Sequence, residues 1–308
     1  MKKIVSKIKS CSRWAIAGGT LFFLLSTLRS NWQEVAAIEI ESHSWLMLAI
    51  ALIVTFLAHI WSGWVWTWIL QDLKYNLKTT KAVRVYLKTN VAKYLPGNVW
   101  HYYGRIEAIC KVGNSLGSAS CSVLLEPLLM AAAALIIVII GSSFGLVSEY
   151  NLAELQIFGL IAILLGIHPC ILNPLIQRLN RLKGKTDNCD CYRLQRYPLA
   201  PLIGELGFVI LRGIGFLFVC QGLMFVNLDR IPQLVTIFSL AWLLGLIVPG
   251  APGGMGVFET VAIASFDPNY FPQASILAAV ALYRLVSIIA EAIAASLASI
   301  ELKKSVNI

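Results

Sequence analysis

The chain has 308 residues, of which 58% are hydrophobic and 13% charged, with a formal net charge of +9 and a mean hydropathy of +0.74. Soluble domains carry about a quarter charged residues, so the composition excludes a water-soluble enzyme domain, and the apolar runs leave no room for a second, soluble one. The basic residues lie between apolar runs, which points to an inner membrane surface and away from nucleic acid.

A helix needs about 20 apolar residues to cross a bilayer core. The first run, 14–28, follows a basic leader over 1–13 and reads as an uncleaved span; Val35-Ala36-Ala37 is the processing site that a signal peptide would use. The second covers 45–70, with Trp61, Trp64, Trp66 and Trp68 as an interfacial belt at its inner end. Further spans are expected over 116–147, 155–172, 199–226, 234–248 and 275–300.

Loop charge orients these spans. Segments 1–13, 71–93, 173–198 and 301–308 are rich in Lys and Arg, whereas 31–44 and 148–154 carry only acidic charge. Basic and non-basic loops alternate as the positive-inside rule requires. Both termini therefore read as cytoplasmic, in a cell membrane. An even number of crossings follows, which asks the segment between the sixth and last spans to cross or nearly cross. Seven scattered cysteines are an odd number and read as reduced thiols. Cys189 and Cys191 beside Asp187 make a poor zinc site and read as a plain loop, and no metal or cofactor is expected.

Two segments break the pattern. The first, about 81–107, opens as an amphipathic helix with Val83, Leu87, Val91 and Tyr94 on one face. Leu95-Pro96-Gly97-Asn98 then interrupts it, and a second short helix through Trp100, His101 and Arg105 can follow. The second, about 246–267, contains the run LIVPGAPGGMGVFE, with two prolines and four glycines. Irregular backbone at membrane depth persists only inside protein or along a wet cavity. Paired Pro/Gly-broken segments in the two halves of a chain point to a transport site. A helix N-terminus after each break would favour a phosphate. Kinks without a ligand are common in membrane helices, and that plainer reading stands beside this one.

Ionisable residues inside apolar spans face a cavity or a partner. Here they are Glu126, Arg212, Glu259, Arg284 and Glu291, with Glu205 nearer the inner end of the fifth span and Arg105 and His101 beside the first break. Arg284 and Glu291 are seven residues apart and share one helix face. Arg105, Arg212 and Arg284 suit an anionic head group, because guanidinium meets phosphate through two parallel hydrogen bonds. Glu126, Glu259 and Glu291 then hold these arginines in the empty site or carry a coupled proton. Mutual neutralisation that only fixes packing is the alternative. His59 and His168 read as packing residues. No Walker loop, GxSxG, HExxH or dinucleotide fingerprint is present.

The segments KYLPGNVWHYYGR (93–105) and PGAPGGMGVFE (249–259), with Glu126, Arg212 and Arg284, resemble the flippase-like transmembrane domain of lysylphosphatidylglycerol synthases. The resemblance covers nearly the whole chain. It implies a bundle with re-entrant helices that moves a lipid, often aminoacylated or glycosylated, between leaflets. Full-length synthases add a soluble aminoacyl-transferase domain, which is not expected within this sequence, so synthase activity is not carried over. Pro127 stands after Glu126 where many relatives are expected to carry a basic residue, and the lipid's identity is not carried over either.

The expectation is one all-α polytopic domain over 1–308, with about seven to eight transmembrane helices and two re-entrant segments. It is expected to be a non-enzymatic translocase of an anionic phospho-, aminoacyl- or glycosyl-lipid. Its candidate lipid-binding residues are Arg105, Arg212, Arg284, His101, Asn98, Gly97, Gly253 and Gly254, with Glu126, Glu259 and Glu291 as charge partners. Expected partners are membrane lipids with anionic head groups; a membrane-associated transferase and a second copy are also compatible. The rival reading is a scaffold for a lipid-modifying or glycosyl-transferring enzyme. An intramembrane enzyme acting on a polyprenyl phosphate, with His101 as base, ranks below both.

Overall fold

The computed structural model describes residues 42–75, 77–94, 99–112, 116–146, 153–181, 194–248, 254 and 256–305. All regular structure among them is helical. The order is α1 (Ser42–Asp72), α2 (Thr79–Asn90), α3 (Trp100–Cys110), α4 (Leu116–Ser143), α5 (Ala153–Gly166), α6 (Pro169–Arg181), α7 (Leu199–Leu223), α8 (Ile231–Ile247), α9 (Val257–Ser265) and α10 (Gln273–Ser305). Short 3-10 turns, Val91–Tyr94 and Leu228–Arg230, extend α2 and precede α8.

Five of the described helices are long and apolar enough to cross a membrane: Ser42–Asp72, Ala119–Ser143, Leu199–Leu223, Leu228–Ile247 and Gln273–Ile300. A sixth arises if the bent pair Glu154–Gly166 and Pro169–Leu175 is one span. The sequence pattern predicts one span over 155–172, and the chain turns by 59° within it. Pro169 disfavours helical geometry at His168, so the run breaks between Gly166 and Pro169. The expected first span at 14–28 and the Cys189/Cys191 pair lie outside the described residues.

Lipid is as apolar as leucine, so helices in a bilayer associate through close packing of small residues. The α1–α7 pair shows this along its length. A Cβ at Gly204 would lie 2.6 Å from Val65 Cγ2, one at Gly215 2.6 Å from Thr55 Oγ1, and one at Gly222 3.3 Å from the Ser44 carbonyl oxygen. The α1 partners move back along the sequence as the glycines advance, so the two helices are antiparallel. Trp61 seals the pair by donating its indole N–H to the Gly204 carbonyl at 2.8 Å.

The two broken segments fold as helical pairs. In the first, Thr89 and Asn90 at the end of α2 hydrogen-bond to Arg105 of α3, so the chain doubles back. Its buried face is Ala82, Tyr86, Leu87 and Asn90, while Val91 is exposed. The expected stripe through Val91 fails because the chain tightens there to three residues per turn and the face rotates. In the second, Gly245 of α8 packs against Gly254, and the Phe238 and Phe258 rings lie 5.5 Å apart. At the far end Arg230 stacks 3.5 Å over the Tyr270 ring. The chain thus enters and leaves this segment at the same end of the bundle.

Candidate functional site

Both helical pairs, together with α1, α4, α7 and α10, enclose one cavity of about 1020 Å³, its open mouth included. Its walls mix aromatic surface from Tyr86, Trp242, Phe258 and Tyr283 with four cationic side chains, Lys93, Arg105, Arg212 and Arg284. Among the described residues Glu126 is the single carboxylate on that wall.

Arg105 is nearly inaccessible, with 1% of its surface exposed. Its Nη1 pairs with Glu126 Oε2 of α4, Nη2 donates to Asn90 Oδ1 at 3.3 Å, and Nε donates to Thr89 Oγ1 at 3.3 Å. Tyr86 lies beneath the guanidinium at 3.8 Å and donates its hydroxyl to Glu126 Oε1 at 2.6 Å. The Trp66 ring lies 5.7 Å from the same guanidinium and 6.0 Å from the Tyr86 ring. Trp66 is fully buried, so it is a wall of this site and not a member of the interfacial belt. Tyr86 and Asn90 were absent from the sequence-based set. The missed signal is their spacing: they are four apart on the polar-decorated helix that leads into the break.

Glu291 of α10 receives Lys93 Nζ at 2.5 Å on Oε1, and His59 Nε2 lies 3.1 Å from the same oxygen. His59 Nε2 is also 3.3 Å from Arg212 Nη1. That nitrogen serves one neighbour at a time. Protonated, it donates to Glu291; with the proton on Nδ1 it accepts from Arg212. His59 is therefore part of the charged centre, against the reading of it as a packing residue. An aromatic and aliphatic window around it conceals this from the sequence. His168, also read as a packing residue, is exposed; its Nδ1 accepts the Cys170 N–H at 3.2 Å and its ring lies 5.9 Å from that of Tyr197.

Glu291 thus holds Lys93 and His59 where the sequence suggested an arginine. Arg284, which shares its face of α10, pairs instead with Glu259 of α9, at 2.9 Å from Nε and 2.5 Å from Nη2 to Oε1. One helix therefore ties down both broken segments, α9 through Arg284 and the end of the α2 extension through Glu291. The other Glu259 oxygen accepts the Gly256 N–H at 2.5 Å. The start of α9, expected to be open to a phosphate, is capped by its own carboxylate.

Arg212 stands apart from the other two arginines. It is 8% exposed, lies 4.9 Å over the Tyr283 ring, and pairs with no carboxylate among the described residues. Its Nε has no hydrogen-bond partner there, and neither has Nδ1 of His101, which stacks on Tyr102 at 3.8 Å. Gly254, with φ of +72°, also lines the cavity. Gly97, Asn98 and Gly253 lie outside the described residues. No group of three or more metal-ligating side chains is found among the described residues.

A family model described as "Lysylphosphatidylglycerol synthase TM region" matches residues 13–295 of the chain. No curated protein matches it in sequence.

Proposed function

The chain belongs to the family of lysylphosphatidylglycerol synthase transmembrane regions, and on that footing we propose that it is a translocase moving an anionic lipid between membrane leaflets. The head group travels through the charged cavity while the acyl tails stay in lipid. One observation carries the proposal: the cavity bounded by both broken segments presents four cations and one carboxylate, and Arg212 among them has no acidic partner in the described structure. An unmatched guanidinium at membrane depth is costly and finds its counter-ion in a phosphate, which it can meet through two parallel hydrogen bonds.

In this reading Arg212 takes the phosphate first. Lys93 then divides its charge between the phosphate and Glu291. The aromatic wall excludes water, and the Arg105–Glu126 and Arg284–Glu259 pairs hold the two helical pairs in place. Both broken segments are re-entrant, entering from opposite faces, and the termini are cytoplasmic, in keeping with the loop charges and the paired ends at Arg230 and Tyr270.

Head-group-resolved lipid translocation in proteoliposomes tests this. Purified protein is expected to move a fluorescent-tailed phosphatidylglycerol faster than protein-free vesicles do, and Arg212→Gln is expected to lose that activity while melting like the wild type. Well-folded wild type that moves no anionic lipid would replace this reading with the scaffold.

A further inference from the structure

Glu205 of α7 has no place in the account above. It is fully buried, and neither carboxyl oxygen has a hydrogen-bond donor among the described residues. It lies in the electrostatic field of Glu126, Arg105 and Tyr86. The remaining charges are committed elsewhere or distant. On α1, His59 faces Glu291 and Arg212, and Asp72 at the inner end faces Arg196. On α10, Glu291 holds Lys93 and Arg284 holds Glu259. The sequence of α8 contains no ionisable residue. Val65 and Trp68 of α1 close the side toward Gly204.

Glu205 is therefore a second buried carboxyl, without a donor of its own, within electrostatic reach of the Arg105–Glu126 pair. If both carboxyls were ionised, a net negative charge would be buried with one carboxylate lacking any donor, an arrangement proteins avoid by taking up a proton. We propose that Glu205, in the field of the Arg105–Glu126 pair, is a proton-binding site whose occupancy is linked to the anion in the cavity. The inference rests on the translocase reading for its transport consequence, but not for the site itself.

Glu126 is the link, because it lines the cavity and its charge acts on the buried Glu205, which does not line it. An anion entering the cavity adds negative charge near the two carboxyls and strengthens the hold of Glu205 on the proton. By linkage, the proton strengthens the hold on the anion by the same factor. The proton comes from water reaching the cavity on one side of the membrane and returns to water on the other. No covalent bond other than this O–H forms or breaks. Lipid and proton consequently move in the same direction, and a pH gradient becomes a driving force.

Infrared spectroscopy of the full chain in liposomes, with 13C-carboxyl-labelled glutamate, tests the site directly. Wild type at neutral pH is expected to show the carbonyl stretch of a protonated carboxylic acid, shifted by the label, and Glu205→Gln is expected to lack it. The same band persisting in a folded Glu205→Gln variant overturns the proposal. Should that variant fail to fold, the wild type decides alone, because absence of the labelled band at neutral pH overturns the site.

For the linkage, translocation of fluorescent-tailed phosphatidylglycerol is followed under an imposed pH gradient. The wild-type rate is expected to be about tenfold higher from the acidic leaflet than from the alkaline one, and Glu205→Gln to move lipid equally both ways. Equal rates in the wild type overturn the linkage. Absence of any translocation with the band intact defeats the translocase reading and leaves the proton site standing.

Discussion

The two broken segments solve one problem, keeping irregular chain inside a bilayer, by opposite means. The α2–α3 pair is held by charge and hydrogen bonds: Arg105 touches Glu126, Asn90, Thr89 and Tyr86, and Lys93 reaches Glu291. The α8–α9 pair is held mainly by ring packing and close backbone approach. Phe216, Phe238, Phe258 and Tyr283 meet with centroids 5.3–6.4 Å apart, Gly245 admits Gly254, and Glu259–Arg284 is the single ion pair that anchors it to α10 in the described structure. The difference follows from sequence. The first segment is amphipathic and brings its own cations, whereas α8 and α9 are apolar and bring one carboxylate, Glu259. Contacts that depend on a counter-ion can be redirected by an anionic ligand; packed rings cannot. In the proposed translocase the first pair is thus the part suited to respond to an anionic ligand, and the second the part suited to remain still.

Five single substitutions and one double substitution test that contrast. The largest effect is expected from Arg105→Gln, which leaves Glu126 buried without its cation. Breaking a buried pair costs about 3–5 kcal/mol, visible as a large loss of thermal stability in detergent. Replacing both partners together, as Arg105→Met with Glu126→Leu, is expected to recover most of that stability but no translocation. An unchanged melt for Arg105→Gln would mean that the first pair is not held by charge.

Gly254→Ala comes next. Its Cβ would lie 2.9 Å from the Gly245 carbonyl oxygen, and its φ of +72° is unfavourable for any side chain. Strain and overpacking of this kind cost ~1–3 kcal/mol. Gly245→Ala on the facing helix meets nothing closer than 3.5 Å and is expected to melt close to the wild type. Equal melts for the two variants would show that the second pair does not depend on this approach.

Arg212→Gln is expected to change stability by less than ~1 kcal/mol, because no described carboxylate loses a cation and the His59 contact is one modest hydrogen bond. Its effect is expected on translocation alone, which separates cargo binding from packing. The smallest effect is expected for Lys111→Ala. Its 2.7 Å pair with Glu107 lies on the exposed end of α3, and exposed pairs of this spacing contribute little. Neither the melt nor the translocation rate is expected to move.

Much of the framework was legible in the sequence. Five described spanning helices fall within a few residues of the apolar runs, because hydrocarbon imposes a length that the chain must meet. Both breaks were visible as Pro-Gly runs. Arg105, Arg212, Arg284, Glu126, Glu259 and Glu291 were visible as charges where charge is costly. The bend before Pro169 was within reach of the same reasoning, since His168 precedes a proline.

The pairing of those charges was not legible. Sequence spacing shows that Arg284 and Glu291 share a face, but it cannot show that one serves α9 and the other Lys93. That choice depends on which broken segment reaches each turn of α10. His59, Tyr86, Asn90 and Glu205 gain their character only from neighbours 15 to 232 positions away along the chain. Hydropathy and helical period are properties of a segment, and the bilayer reads them locally, so the sequence alone determined the spans, the breaks and the inventory of buried charge. Electrostatics at membrane depth is a property of distances between segments, so only the tertiary structure decided which arginines meet a carboxylate, which one meets none among the described residues, and which buried carboxyl has no donor there.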